Sequence, residues 1–238
     1  MREKVLTVVL ALALGAAAAI AADGTPIGVG QGGLLVGLLS LDLIPLNRAL
    51  TMAGYPAVEG PIVVVGGGGG GGVVGEAVFG GLGFGGTTSV LQGEKRTDLD
   101  FGFGGFLIEL SRQAGGSAIL GFGTVLGGGD LTVKVRGRVP VDFTDALAQP
   151  PLSQFGLGFF GCLPYLRLQI QILPWLAIEG WGGYFVAFPS QWEEGEREIA
   201  GPKLDLRAPL FGLRISFGGI GSPGEPAPQA PIPGEGKE

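Results

Sequence analysis

The stretch Tyr165–Phe188 reads YLRLQIQILPWLAIEGWGGYFVAF, and its reading decides the fold class. Leu166, Leu168, Ile170 and Ile172 alternate with Arg167, Gln169 and Gln171. Period two is the signature of a strand with two unlike faces. After Pro174-Trp175 the apolar residues resume at Leu176. Ile172 and Leu176 must share a face, so the turn between them holds an odd number of residues. A three-residue turn, Leu173–Trp175, sets Gln169 opposite Glu179 and Arg167 opposite Trp181. A five-residue turn, Gln171–Trp175, sets Arg167 opposite Glu179 instead.

The same period recurs on both sides of this hairpin. Leu213, Ile215 and Phe217 alternate with Arg214 and Ser216; Leu131, Val133 and Val135 with Thr132, Lys134 and Arg136; Leu99, Phe101 and Phe103 with Asp98, Asp100 and Gly102. Two segments change phase at glycines. Phe101 and Phe103 are odd, whereas Phe106, Ile108 and Leu110 are even, with Gly104-Gly105 between. Leu120, Phe122 and Leu126 are even, whereas Leu131, Val133 and Val135 are odd, with Gly127–Gly129 between. An extra residue at a bulge flips every later side chain, so these patterns predict long strands bent at glycine bulges.

Strands are expected at about 33–44, 61–66, 74–90, 98–112, 117–137, 153–173, 176–188 and 203–219. Pro45–Ala53 reads as a short helix between the first two. Proline suits its first position, Leu46, Ala49 and Leu50 share a face, and Gly54 ends it. At the amino end, Arg2 and Lys4 precede an uncharged run, Val5–Ala22, with Ala19-Ile20-Ala21 as small residues for cleavage. This is the pattern of an export signal, although 18 apolar residues could also serve as an uncleaved anchor. Residues 1–21 are therefore expected to be a signal peptide, 22–220 a single β-barrel domain, and the proline-rich 221–238 a disordered tail.

Composition narrows the chemistry. The 238 residues include 49 glycines, one cysteine and no histidine. That excludes a histidine-based triad, histidine metal ligands, a thiolate zinc site and an internal disulfide. Without Arg2, Glu3 and Lys4 the chain carries 13 basic and 20 acidic residues, a net charge of −7, which argues against nucleic acid as a partner. Hydrophobic residues reach 46% and charged ones only 15%, too few for a comfortable soluble surface of ~25–35%. Alternation alone leaves open a soluble sandwich, with its apolar face on a core, or a membrane barrel, with its apolar face on lipid. Scarce charge favours the barrel. So do glycines opposite the apolar face, at Gly156, Gly158, Gly180, Gly182 and Gly212, which suit a narrow interior.

Tyr165–Phe188 resembles a hairpin of small bacterial outer-membrane β-barrel proteins, with Pro174-Trp175 similar to their short periplasmic turn. Leu213–Gly219, LRISFGG, resembles their closing strand, although here Phe217 is followed by 21 further residues. The resemblance covers about a quarter of the chain. It implies an outer-membrane location, eight antiparallel strands and no catalytic residues.

Candidate sites are few. Arg167, Gln169, Glu179 and Arg214 are expected to form an interior polar network; Trp175, Trp181 and Tyr184 to sit at the membrane interface, with a sugar platform as the other reading. Gly66–Gly72 lacks the lysine and hydroxyl of a phosphate loop and reads as a flexible turn. Glu193, Glu194, Glu196 and Glu198 read as a solvated loop rather than a calcium site. Of the strand carboxylates Glu76, Glu109 and Glu179, an interior ion pair is the favoured reading over acid–base catalysis. The expectation is an all-β, antiparallel, eight-stranded up-and-down barrel. It is exported to the outer membrane, non-enzymatic, cofactor-free, in contact with lipid and open to self-association, with a structural or accessory envelope role. The alternative is a secreted glycine-rich β protein that assembles into an extracellular layer or filament.

Overall fold

The computed structural model describes residues 27–138, 140, 142 and 153–221. The expected signal peptide, almost all of the tail and most of the Val139–Leu152 loop lie outside them. The strands are β1 (Ile27–Leu39), β2 (Ile62–Val74), β3 (Val78–Gln92), β4 (Lys95–Gly115), β5 (Ala118–Arg136), β6 (Ser153–Leu173), β7 (Leu176–Glu194), β8 (Arg197–Ile199) and β9 (Arg207–Gly221). One helix, α1 (Ile44–Met52), follows β1. Each strand pairs antiparallel with its neighbours, β9 pairs back onto β1, and β6–β7 pairing closes the ring. β8 and β9 both pair with β7 and share one position, so the ring has eight strands.

The register fixes the shape of the ring. Stepping from partner to partner, Val29 leads to Gly72, Val78, Glu109, Gly123, Tyr165, Gly183, Leu210 and then Leu39, ten residues along β1 from the start. A stagger of ten over eight strands implies a tilt of about 40° and a backbone radius of about 8 Å. Side chains alone fill so narrow a cylinder.

One end, the base, collects the start of β1, the end of β9 and the short turns Gly75–Ala77, Gly116-Ser117 and Pro174-Trp175. The other end, the head, carries α1 and the longer connections. Leu46 and Leu50 of α1 are buried in the barrel core, and the Asn47 amide holds the returning chain through Val58 N and O at 2.9 and 2.8 Å.

Two zones follow one another along the barrel. Toward the base every ring strand presents apolar groups or glycine outward, for example Leu34 and Val36, Val63 and Val65, Phe79, Phe106, Leu120, Leu166 and Leu168, Ile178, and Leu213 and Ile215. On β6 the outward apolar run from Phe160 to Ile172 rises about 30 Å at ~3.3 Å per tilted residue. Toward the head the outer face turns polar. Thr87 Oγ1 donates to Asp100 Oδ1 at 2.7 Å, Lys134 Nζ meets Asp100 Oδ2 at 2.6 Å, and Arg96 Nε meets Asp98 Oδ1 at 2.8 Å. There the oil moves inside. Phe84, Phe101, Phe103, Phe159 and Phe185 cluster with ring centroids 5.1 to 6.4 Å apart.

This zoning corrects several expectations. The β4–β5 register runs unbroken from Arg96↔Arg136 to Gln113↔Ile119, so neither Gly104-Gly105 nor Gly127–Gly129 is a bulge. The phase of hydrophobicity changes because the apolar residues change sides, while each side chain keeps its parity. Gly66–Gly72 is not a turn: it is the body of β2, hydrogen-bonded to β1 and β3, and the turn falls at Gly75, where φ is +95°. A Cβ on Gly66 or Gly68 would lie 2.1 or 2.2 Å from a β3 carbonyl oxygen, so the bare backbone permits the sharp corner between these strands. Gly156, Gly158, Gly180 and Gly182 have the parity of the outward side chains; of the five glycines expected inside, only Gly212 faces inward. β7 continues to Glu194, so Glu193 and Glu194 end a strand rather than lie in a loop.

Candidate functional site

The hairpin β6–β7 pairs Gln169 with Glu179 and Arg167 with Trp181, the register expected of the three-residue turn. The turn itself is Pro174-Trp175, closed by Leu173↔Leu176, and Ile172 supplies the odd residue as a bulge. Odd residues of β4, β6 and β7 and even residues of β9 point inward near the base. This parity gathers Glu109, Arg167, Glu179 and Arg214 into one layer across the barrel.

Two carboxylates and two guanidinium groups balance within it. Arg167 faces Glu109 with two nitrogens, Nε to Oε2 at 2.9 Å and Nη2 to Oε1, and turns Nη1 to Glu179 Oε1 at 3.3 Å. Glu179 Oε2 lies 3.7 Å from Arg214 Nη1 and accepts from Trp181 Nε1 at 2.9 Å, while Oε1 accepts from Ser216 Oγ. Tyr165 Oη donates to Glu109 Oε2 at 2.9 Å. Gln169 accepts from Arg167 Nη1 and donates to Gln171. Arg214 reaches past β1 to the Gly68 carbonyl at 2.7 Å. Paired and hydrogen-bonded charges can be tolerated at low dielectric, whereas a single unpaired one is costly.

Local sequence makes the room. A Cβ on Gly121 would sit 2.7 Å from the Glu109 carboxyl carbon, and one on Gly123 would sit 2.6 Å from Tyr165 Oη. Both ends of the layer are closed. Toward the head Tyr165 stacks on Trp181 at 4.1 Å, beneath the phenylalanine cluster. Toward the base Ala177, Gln169 and Ser216 are fully buried. The layer is therefore a stitch between opposite walls, out of reach of a solute.

All four residues expected in the network, Arg167, Gln169, Glu179 and Arg214, meet here. Trp175 is exposed at the base and stacks on Phe217 with centroids 6.4 Å apart, and Tyr184 lies on the outer wall. Trp181 is displaced from its expected interface: it is 6% exposed inside the barrel, with the Arg214 guanidinium 5.9 Å from its ring centre. Its parity with Glu179 carries that information, because both sit on the inward face of β7. Tyr165 and Ser216 escaped the sequence reading, though they share parity with Arg167 and Arg214 respectively. Among the described residues no group of histidine, cysteine or carboxylate side chains is arranged to hold a metal ion.

No protein-family model and no curated protein matches the chain. Solved structures similar to it include Ail, the attachment invasion locus protein of Yersinia pestis, in complex with the heparin analogue sucrose octasulfate. That match has 10% identity and a TM-score of 0.42, covering 82% of this chain and 99% of that one. Ail without the analogue matches at 11% identity and a TM-score of 0.33 over the same shares. The barrel assignment itself rests on this chain's own strand register.

Proposed function

We propose that the chain is a non-enzymatic outer-membrane barrel with a structural or accessory role in the cell envelope, and that it conducts nothing. The observation that carries this reading is the closed apolar belt: all eight ring strands contribute to it, and among the described residues no long strand edge is left free. A belt ~25 Å tall on a closed antiparallel barrel is what hydrocarbon requires, since a closed ladder pairs backbone groups within the wall and leaves no sheet edge in lipid. All turns at the base have two or three residues, whereas the head carries α1 and the longer connections beside the two-residue Gly93-Glu94 turn, which supports a base directed toward the periplasm. The interior supports occlusion, with a charge layer sealed by side chains toward the base and a phenylalanine cluster above it. Closure also speaks against the alternative of a stacking secreted polymer, whose growth needs exposed edges. The test uses the mature chain refolded into detergent and vesicles. The reading expects detergent-dependent solubility, a heat-dependent shift in electrophoretic migration, and no steps of conductance in planar bilayers. A monomer soluble in plain buffer would overturn the membrane assignment, and steady open-channel current would overturn the occlusion.

A further inference from the structure

The outer wall is not uniformly ridged. On β7, Gly180 and Gly182 leave a bare strip between two apolar walls, Leu166 and Leu168 on β6 and Phe211 and Leu213 on β9, their direct cross-strand partners. The result is an open depression of about 710 Å³. Barrel packing does not demand these two glycines. A Cβ on Gly180 would meet nothing within 4 Å, and one on Gly182 only the Phe211 ring at 3.6 Å. This contrasts with Gly127 or Gly129, where a Cβ would strike a carbonyl oxygen at 2.0 Å. Ile178 and Tyr184 stand on the same outward face below and above, so the strip spans six residues of tilted strand, a rise of ~15 Å, close to half a bilayer's ~30 Å hydrocarbon core.

We propose that this trough seats one hydrocarbon chain of a membrane lipid. The proposal rests on the outer-membrane reading above. The trough continues the apolar belt on all sides, and no polar side chain points outward within it, so its occupant is apolar and flexible. Trp181, on the inner side between the two glycines, reports from directly behind its floor.

The experiment places the full mature chain carrying Trp175→Phe in phosphatidylcholine vesicles brominated at mid-chain. Trp192 stays, since it lies in the head, beyond the belt. Bromine should quench Trp181 emission, and Gly180→Leu with Gly182→Leu should abolish most of that quenching. Gly81→Leu, on the opposite wall, where a Cβ has 3.6 Å of clearance, should leave it unchanged. Heat-shifted migration reports insertion and folding separately for each variant. Equal quenching in the filled and parental proteins, both inserted, overturns the trough and leaves the membrane reading standing. Loss of insertion in the parent overturns that reading itself. A photo-crosslinker at Leu213 that joins two copies would assign the trough to a second chain and overturn the lipid.

Discussion

On β4 the two zones of the barrel can be read within a single strand. Near the base Phe106, Ile108 and Leu110 have outward parity, while Glu109 and Ser111 point inward. Near the head Asp98 and Asp100 face out, while Leu99, Phe101 and Phe103 face in. No bulge separates the halves, so side-chain direction is continuous and only the surroundings change. Where hydrocarbon lies outside, the interior can carry charge, provided the charges neutralise one another. Where water lies outside, the interior must be a core in the ordinary sense, because burying apolar surface at roughly 25 cal/mol per Å² is what holds a water-exposed β structure together. On the outer-membrane reading proposed above, the reversal marks where the wall leaves the lipid.

Breaking each zone's interior should cost most. Glu179→Ala leaves Arg167 and Arg214 without a shared carboxylate and should destabilise the barrel by ~3–5 kcal/mol. Phe103→Ala, in the head's ring cluster, should cost a similar ~3–5 kcal/mol, by cavity formation rather than lost charge. Denaturant unfolding in lipid vesicles measures both. If Phe103→Ala proved silent, the head would not be a packed core.

The outer faces sharpen the contrast. Leu213→Arg puts a charge into the belt and should cost ~2–4 kcal/mol near mid-height, whereas Thr132→Lys, outward in the head, should stay within ~0.5 kcal/mol. Equal costs at the two positions would erase the boundary between zones.

The smallest expected effect concerns the polar ladder on the head. Partial burial pushes the Asp100 carboxyl up, but hydrogen bonds from Lys134 and Thr87 and the Lys134 charge outweigh it, leaving the group below its ordinary range. A lowered folded value means that the contribution is present above the unfolded pKa of ~3.9 and is lost as pH falls through the folded value. Asp100→Asn should remove ~0.2–1 kcal/mol at neutral pH, an effect that shrinks with salt and vanishes in acid. An Asp100→Asn difference that persisted unchanged at low pH would show that the ladder's worth is not electrostatic.

Much of this was legible before the fold. The alternation at Leu166–Ile172 and Leu213–Phe217 marked outward faces that remain outward, and the odd count between Ile172 and Leu176 left two registers, of which the fold takes the one that pairs Gln169 with Glu179. The helix at Pro45 was readable from its proline, its apolar spacing and Gly54. The misreadings have separate causes. Seven glycines carry no period, so β2 looked like a turn although two neighbours supply its ladder. The glycines of β6 and β7 were assigned inward because a narrow interior needs small residues, yet Gly121 and Gly123 make that room and Gly180 and Gly182 open the outer wall. Trp181 was drawn to the interface by its residue type, against its own parity.

Period two and the odd turn count determined that these segments are strands with unlike faces and that Arg167, Gln169 and Glu179 lie on one side, and composition determined that charge is too scarce for an ordinary soluble surface. Which side is inside was decided by tertiary structure. Alternation is unchanged when the two faces of a sheet are exchanged, and only closure, a stagger of ten residues over eight strands, makes one face concave and finite. That finite volume brings Glu109 from β4 to Arg167 on β6, and Arg214 on β9 to the Gly68 carbonyl on β2, contacts between residues 58 and 146 positions apart.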